Sequence, residues 1–354
     1  MQQAKSVVGR IFVGQQKLQH GKEQYNVFNR IDKVAVGWYW LMPSKEIKRG
    51  KVRAANILGY DLAVYRGQDG KIAALDAHCP HMGAHLAEGK VDGNSLRCFF
   101  HNWSFNAKGE CEDIPCMPKR TPRAVRTRSW HVQEKHGMIW LWLGDGEPTE
   151  SIAEPSELQG TTYCSSIGNH FIKGCHPNVV MVNAIDEQHF HTVHNLPGDV
   201  LNMEPSRLND SQIEFRNTGI VPDTNALGRF IGRFYEKALT YNLHYWNGST
   251  GTVTLGPDFL HMYLMFTLRQ TALGHTEGYA IAFAKKPTNI FEMLLTPVVL
   301  LLTKVAGLYF AKGDTRVFDS IKFDFKTPIA ADHAVLAFIQ HLEKQSSFPR
   351  AFNG

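Results

Sequence analysis

A chain of 354 residues, 43% hydrophobic and 20% charged, has enough material for two domains with separate cores and the balance of an ordinary globular protein. A net charge of +5, from 38 basic and 33 acidic residues, is too small a surplus to point to nucleic acid. Six cysteines with no long apolar run in the first thirty residues argue against a secreted disulfide framework, and lead us to expect metal ligands or free thiols in a cytoplasmic setting.

Residues 1–33 read as a polar, basic arm. From Val34 the texture changes to short β-like segments punctuated by glycine: 36–41, 57–66 and 71–75, with Gly67-Gln-Asp-Gly70 as a hairpin turn. The same texture runs to Met138-Ile-Trp-Leu-Trp-Leu143, ended by Gly144-Asp-Gly-Glu-Pro148. We therefore expect a first domain over 34–148 and a second over 149–354, divided in the Gly-, Pro- and acid-rich stretch 144–160.

Within the first domain, Cys79-Pro-His81 and Cys98-Phe-Phe-His101 are separated by sixteen intervening residues. Two thiolates and two imidazoles suit tetrahedral zinc, but zinc sites usually pair Cys with Cys and His with His. One Cys and one His on each of two loops is instead the Rieske [2Fe–2S] pattern, in which the cysteines hold one iron and the histidines the other. Cys111, Cys116, Cys164 and Cys175 have no partner motif and read as buried or free thiols.

The second domain opens with Asn183-Ala-Ile-Asp186-Glu-Gln-His189-Phe-His-Thr-Val-His194. Three-residue steps put Asn183, Asp186 and His189 on one helix face, whereas His194 falls about 140° from His189. Both imidazoles reach one metal only where the helix loosens or ends between them. His191, about 160° from His189, is expected off the site. Two histidines and a carboxylate form the facial triad of mononuclear non-haem iron(II). Strands follow at 252–266 and 278–284. The apolar stretch 290–310 has a charge-free part too short to span a bilayer, which takes about 20 residues. It reads either as a helix at the active-site mouth touching a membrane or, more plainly, as a buried core or subunit-contact helix. Helices are expected at 315–326 and 332–345.

The two Cys/His loops and the segment Gly137–Asp145 resemble the cluster loops and closing strand of the Rieske non-haem iron oxygenases. Asn102 stands where that family often has glycine, and Phe100 where tyrosine is common. The 183–194 stretch matches the family's Asn-x-x-Asp-x-x-His-x(4)-His motif at every named position. The resemblance implies an α+β chain: an N-terminal all-β Rieske [2Fe–2S] domain and a C-terminal helix-grip-like antiparallel sheet wrapped by helices.

The same resemblance implies Cys79, His81, Cys98 and His101 as cluster ligands and His189 and His194 as ligands of mononuclear Fe(II). Asp319 is then the third ligand, chosen over Asp314, Asp324 and Asp332 for its spacing ahead of Lys326 and Pro328. Asp186 is implied as a bridge between an iron histidine and a cluster histidine of the next subunit in a homotrimer. Electrons would come from NAD(P)H through a ferredoxin or flavoprotein reductase, with O2 as co-substrate. The basic run 119–128 reads either as a surface steering that reductase or as residues paired within the protein. Residues 120–130 and 256–260 resemble ketosteroid hydroxylase oxygenase components and sterol desaturases, which points to a hydrophobic, ring-bearing substrate undergoing hydroxylation, demethylation or desaturation. The rival readings are a ring-dihydroxylating dioxygenase α subunit and a non-catalytic electron-transfer Rieske protein.

Overall fold

The computed structural model describes residues 27–117, 125–196, 200–220, 229–230, 232–235, 238–271 and 273–351. Most of the basic run, 119–124, and the greater part of the N-terminal arm therefore lie outside the described residues. The chain is α+β, with antiparallel sheets and a few helices, as expected.

Two strands with alternating bulky residues organise the first half. Gly37–Pro43 pairs with Met138–Leu143, and both are buried along their whole length. Successive side chains of a strand point to opposite faces. Tyr39, Leu41, Ile139 and Leu141 enter one core with Leu62 and Val64. Trp38, Trp40, Trp140 and Trp142 enter another with Trp246, Tyr263 and Met265 from the second half of the chain. The Trp-x-Trp pattern is thus the seam between the two halves. The Arg269 guanidinium closes it, 3.8 Å above the Trp40 ring and 2.8 Å from Glu277. The strands Lys33–Ala35 and Ser347–Pro349 also pair, which returns the end of the chain to the first half.

The second half is built on a seven-stranded antiparallel sheet running from Tyr163–Lys173 through Thr276–Lys285 and Met262–Gln270 to Met203–Arg207. The single strand expected over 252–266 is two strands, Thr250–Gly256 and Met262–Gln270. Gly256, at φ +122°, and Pro257 break the ladder between them. Four helices matter here: α1 (Pro177–Asn183), α2 (Glu187–Thr192), α3 (Ile290–Ser320) and α4 (His333–Leu342). Ala334, Val335, Phe338, Ile339 and Leu342 of α4 sit at three- and four-residue steps and are buried in the core with Phe215, Leu243 and Tyr245.

Two helix expectations are corrected. The stretch 290–310 is not a buried core helix: it belongs to α3, whose Phe291 and Leu294 are 81% and 68% exposed. The helix expected at 315–326 is the end of that same α3, which stops at Ser320.

The packing predicts that Phe338→Ala, at a fully buried position, lowers the unfolding free energy by about 3 to 5 kcal/mol in urea titration. Leu301→Ala, on the exposed side of α3, should stay within about 0.5 kcal/mol of the parent. Burial also pushes His136, His176 and His244 down to about 4. The unfolded chain, with histidines near 6.5, takes up protons first as the pH falls. Stability is therefore fully present above about pH 6.5 and drains away toward pH 4, which a series of thermal melts across that window will register.

Candidate metal centres

The first centre sits on two tight loops. In one, Cys79 N donates to Ala84 O and Gly83 N to Cys79 O, both at 2.9 Å. In the other, Cys98 N donates to Trp103 O at 2.9 Å and Asn102 N to Cys98 O at 3.0 Å. The second turn needs a left-handed residue, and Asn102 supplies it at φ +59°. Asparagine tolerates that region better than most side chains, so the replacement of glycine keeps the loop.

Cys79 and Cys98 are buried, while His81 and His101 lie exposed with ring centroids 4.6 Å apart. Trp103 stacks on His81 at 4.3 Å and fixes its plane. Two thiols inside and two imidazoles at the rim are the donor set a Rieske cluster takes. Burial pushes the Cys79 thiol up to about 11, so metal binding there must displace a proton. Cys111 and Cys175 are buried, Cys116 is exposed and Cys164 half-buried; all four are unpaired thiols.

The second centre depends on a helix that stops in time. α1 ends at Asn183, and Asp186 starts α2 by accepting a hydrogen bond from Gln188 N at 3.0 Å. α2 ends at Thr192, so His194 is free of the helical repeat and turns back toward His189. The two imidazole centroids are 5.2 Å apart. His191 points away, exposed and bonded to Leu196 O at 2.8 Å.

α3 crosses above and supplies the carboxylate. Asp314 Oδ1 lies 3.0 Å from His194 Nε2 and 3.6 Å from His189 Nε2. The three donor atoms fall within 4.8 Å of one another. His189 Nδ1 donates to the Asp186 carbonyl at 2.6 Å, which leaves Nε2 as the bare, ligand-ready nitrogen. Asn183 Nδ2 reaches that same Nε2 at 3.3 Å. Burial holds His189 below the ordinary histidine range, hence neutral. The His189 Nε2 lone pair faces the Asp314 carboxylate at 3.6 Å without bonding it, and His194 Nε2 lies at hydrogen-bond distance, 3.0 Å, from the same oxygen; a cation among the three would bind all of them. Neighbouring donors around a metal at about 2.1 Å are about 3 Å apart, so the donor set fits a divalent ion.

The structure thus brings together His189, His194 and Asp314, and places Asp319, the expected third ligand, outside that group. Asp314 and Phe318, four apart, form the inward face of α3 and are 6% and 4% exposed. Asp319, one residue further round, is exposed beside Gly174. Asp324 pairs with Lys326, and Asp332 accepts from Gln188 Nε2 at 2.9 Å. One neighbour was not expected: a Cβ on Gly313 would stand 2.9 Å from His194 Cε1, so only glycine lets α3 approach that ring without displacing it. Of the basic run, Arg126 pairs with Glu110 at 3.2 Å and Arg128 lies 3.8 Å over Trp130.

Residues 37–131 match the Rieske [2Fe-2S] domain family. The chain is 39% identical over 162 residues to cholesterol 7-desaturase of Bombyx mori, covering 45% of this chain and 35% of that protein. It is 34% identical over 207 residues to the oxygenase component of 3-ketosteroid-9-alpha-monooxygenase of Mycolicibacterium smegmatis, covering 57% of this chain and 53% of that protein. It therefore spans about half, or less, of the length of these curated relatives. Among solved structures, NdmB of Pseudomonas putida CBB5 aligns with TM-score 0.64 at 18% identity, over 86% of this chain and 89% of its own. Apo dicamba monooxygenase aligns with TM-score 0.57 at 19% identity, over 88% and 96%. At these identities the structural likeness is one of fold.

Metal analysis of iron-reconstituted protein separates the two carboxylates. Asp314→Ala should lower iron from about three to about two per chain, the cluster pair remaining. Asp319→Ala should leave the count unchanged.

Proposed function

We propose that this chain belongs to the Rieske non-haem iron oxygenase family and is the terminal oxygenase of a multicomponent system oxidising a hydrophobic, ring-bearing substrate with O2. In this reading Cys79 and Cys98 hold one iron of the cluster, His81 and His101 hold the other, and His189, His194 and Asp314 hold mononuclear Fe(II). The observation that carries it is the convergence of those last three side chains within 4.8 Å, in a chain that also has both cluster loops. When bound, the two iron centres supply single electrons and oxygen activation.

The protein's own residues keep the site in a usable state. The Asp186 carbonyl holds the tautomer of His189, and the Asp186 carboxylate anchors the start of α2. The two histidines and Asp314 approach from α2 and α3, leaving the remaining directions for substrate and O2. Asp186 is the bridge toward a cluster histidine of a neighbouring protomer in a homotrimer, which the exposure of His81 and His101 favours.

A ferredoxin or flavoprotein reductase carrying electrons from NAD(P)H would dock by the Cys79 loop. An open groove of about 470 Å³ flanks that loop, lined by His78, Pro80, Arg126 and Arg128. The domain division falls in 144–160, and the protein works in the cytoplasm at a membrane surface reached through 290–310. The names of the curated relatives, a cholesterol desaturase and a ketosteroid monooxygenase component, favour a sterol-like substrate.

The test is reductant- and oxygen-dependent turnover of a panel of sterols, ketosteroids and small aromatics, with products identified by mass. Replacing both His189 and His194 by alanine should abolish oxidation, by at least about a thousandfold, while the visible absorption of the cluster persists. Equal turnover in the double variant contradicts the proposal. Absence of turnover in the parent, with only two irons per chain, would favour the electron-transfer reading.

A further inference from the structure

The helix that supplies Asp314 has a first half that no protein covers. Between residues 290 and 302, α3 buries no side chain, and Phe291, Leu294, Leu295, Val298, Leu301 and Leu302 are all exposed. Contiguous apolar surface of this kind marks an interaction site rather than ordinary solvent-facing surface.

Helix phase shows which side faces what. Glu292 and Thr296 are the only polar residues in 290–302, and they fall on one strip about 40° wide. Steps of seven and four continue that strip to Thr303, Gly307, Asp314 and Phe318, the residues that meet the rest of the fold. Thr303, Asp314 and Phe318 are 1%, 6% and 4% exposed, and a Cβ at Gly307 would stand 2.9 Å from Leu264 Cδ2. Lys304 Nζ anchors the junction on Ser166 Oγ at 2.7 Å and Ile167 O at 3.0 Å. Beyond that anchor, the circumference outside the Glu292–Thr296 strip is apolar.

The polar end of the helix satisfies itself. Thr288 N, Thr288 Oγ1 and Asn289 Nδ2 donate to the Glu292 carboxylate at 2.7, 2.9 and 2.9 Å, and Glu292 N donates to Asn289 Oδ1 at 2.9 Å. Thr296 Oγ1 donates back to Glu292 O at 2.7 Å. Thr288 N and Glu292 N thus keep protein partners on leaving bulk water.

A convex ridge apolar over most of its girth needs a surrounding that wraps it, and an acyl phase does so without a matching groove. Charge points the same way. Lys285 and Lys286 are exposed where the chain leaves the sheet, and no acidic residue occurs between Glu292 and Asp314. We propose that α3 docks the protein on a lipid bilayer, sinking residues 290–302 into one leaflet with Lys285 and Lys286 among anionic headgroups. Thirteen residues of helix are about 20 Å long, short of the ~30 Å hydrocarbon layer. All of α3 has the length and apolar composition to cross a membrane, but the anchored half from Thr303 onward is committed to the sheet. The docking itself is independent of the oxygenase reading; its purpose, collecting a lipophilic substrate beside the Asp314 centre, rests on that reading.

The full chain, loaded with iron, is floated with vesicles of phosphatidylcholine alone and of phosphatidylcholine with phosphatidylserine. Binding is expected, stronger to the anionic vesicles. Leu294→Glu with Leu301→Glu should weaken it at least about tenfold without changing the cluster absorption. Lys285→Ser with Lys286→Ser should weaken binding to the anionic vesicles alone. An independent readout is Leu294→Trp, whose added fluorescence brominated acyl chains should quench. The proposal is overturned if the parent stays unbound by both vesicles, if the double glutamate variant binds as the parent does, or if the new tryptophan escapes quenching. It is equally overturned if the glutamates merely dissociate an oligomer that forms without lipid, since a second copy then covers the ridge. Failed vesicle binding leaves the iron count untouched, whereas a missing third iron leaves vesicle binding untouched, so the two readings fail separately.

Discussion

Asp314 is a buried carboxylate whose ion-pair partners, among the described residues, are two imidazoles. A buried charge is costly unless paired; His194 Nε2 lies at hydrogen-bond distance from it, 3.0 Å, while His189 turns a lone pair toward it at 3.6 Å. The arrangement is stable when a cation sits among the three donors. Much of the second half can be traced to this requirement. α2 must end after one and a half turns so that His194 can turn back, Asp186 must cap it so that its carbonyl can orient His189, and Gly313 must lack a side chain so that α3 can come close.

The first half answers to a different constraint, the two-residue period of its strands. Alternation in 37–43 and 138–143 divides tryptophans from leucines and sends each set to its own core. The tryptophan face then docks on the large sheet, so one pair of strands both completes the N-terminal core and fixes it to the half that carries the histidine–carboxylate site. Arg269, stacked on Trp40 and paired with Glu277, ties the same seam with a buried charge whose partner lies on the neighbouring strand.

How much of this was legible follows from how local each signal is. Cys79, His81, Cys98 and His101 lie on short loops, and their spacing alone carries the donor set. The 183–194 stretch showed its need for a helix break, because five residues do not return to the same face. Asp314 stood among the candidate carboxylates, but the spacing ahead of Lys326 and Pro328 favoured Asp319; which carboxylate meets the two histidines depends on the phase of a long helix. Starting a helix at 315 places Asp319 in its interior, whereas α3 already runs from Ile290 and ends at Ser320. Its phase is set by tertiary contacts, Gly307 against Leu264 and Phe318 in a buried cluster, which no local pattern reveals. The exposure of 290–302 was hidden for the converse reason: an apolar run reads as core until the structure shows that nothing packs on it.

The central claim is that a mononuclear ferrous site and an iron–sulfur pair coexist in one chain, and Mössbauer spectroscopy of protein reconstituted with iron-57 tests it most directly. About one third of the absorption area is expected from a high-spin ferrous site held by nitrogen and oxygen donors, the remainder from the cluster. A spectrum containing cluster iron alone, from protein whose cluster loops are fully loaded, would contradict it.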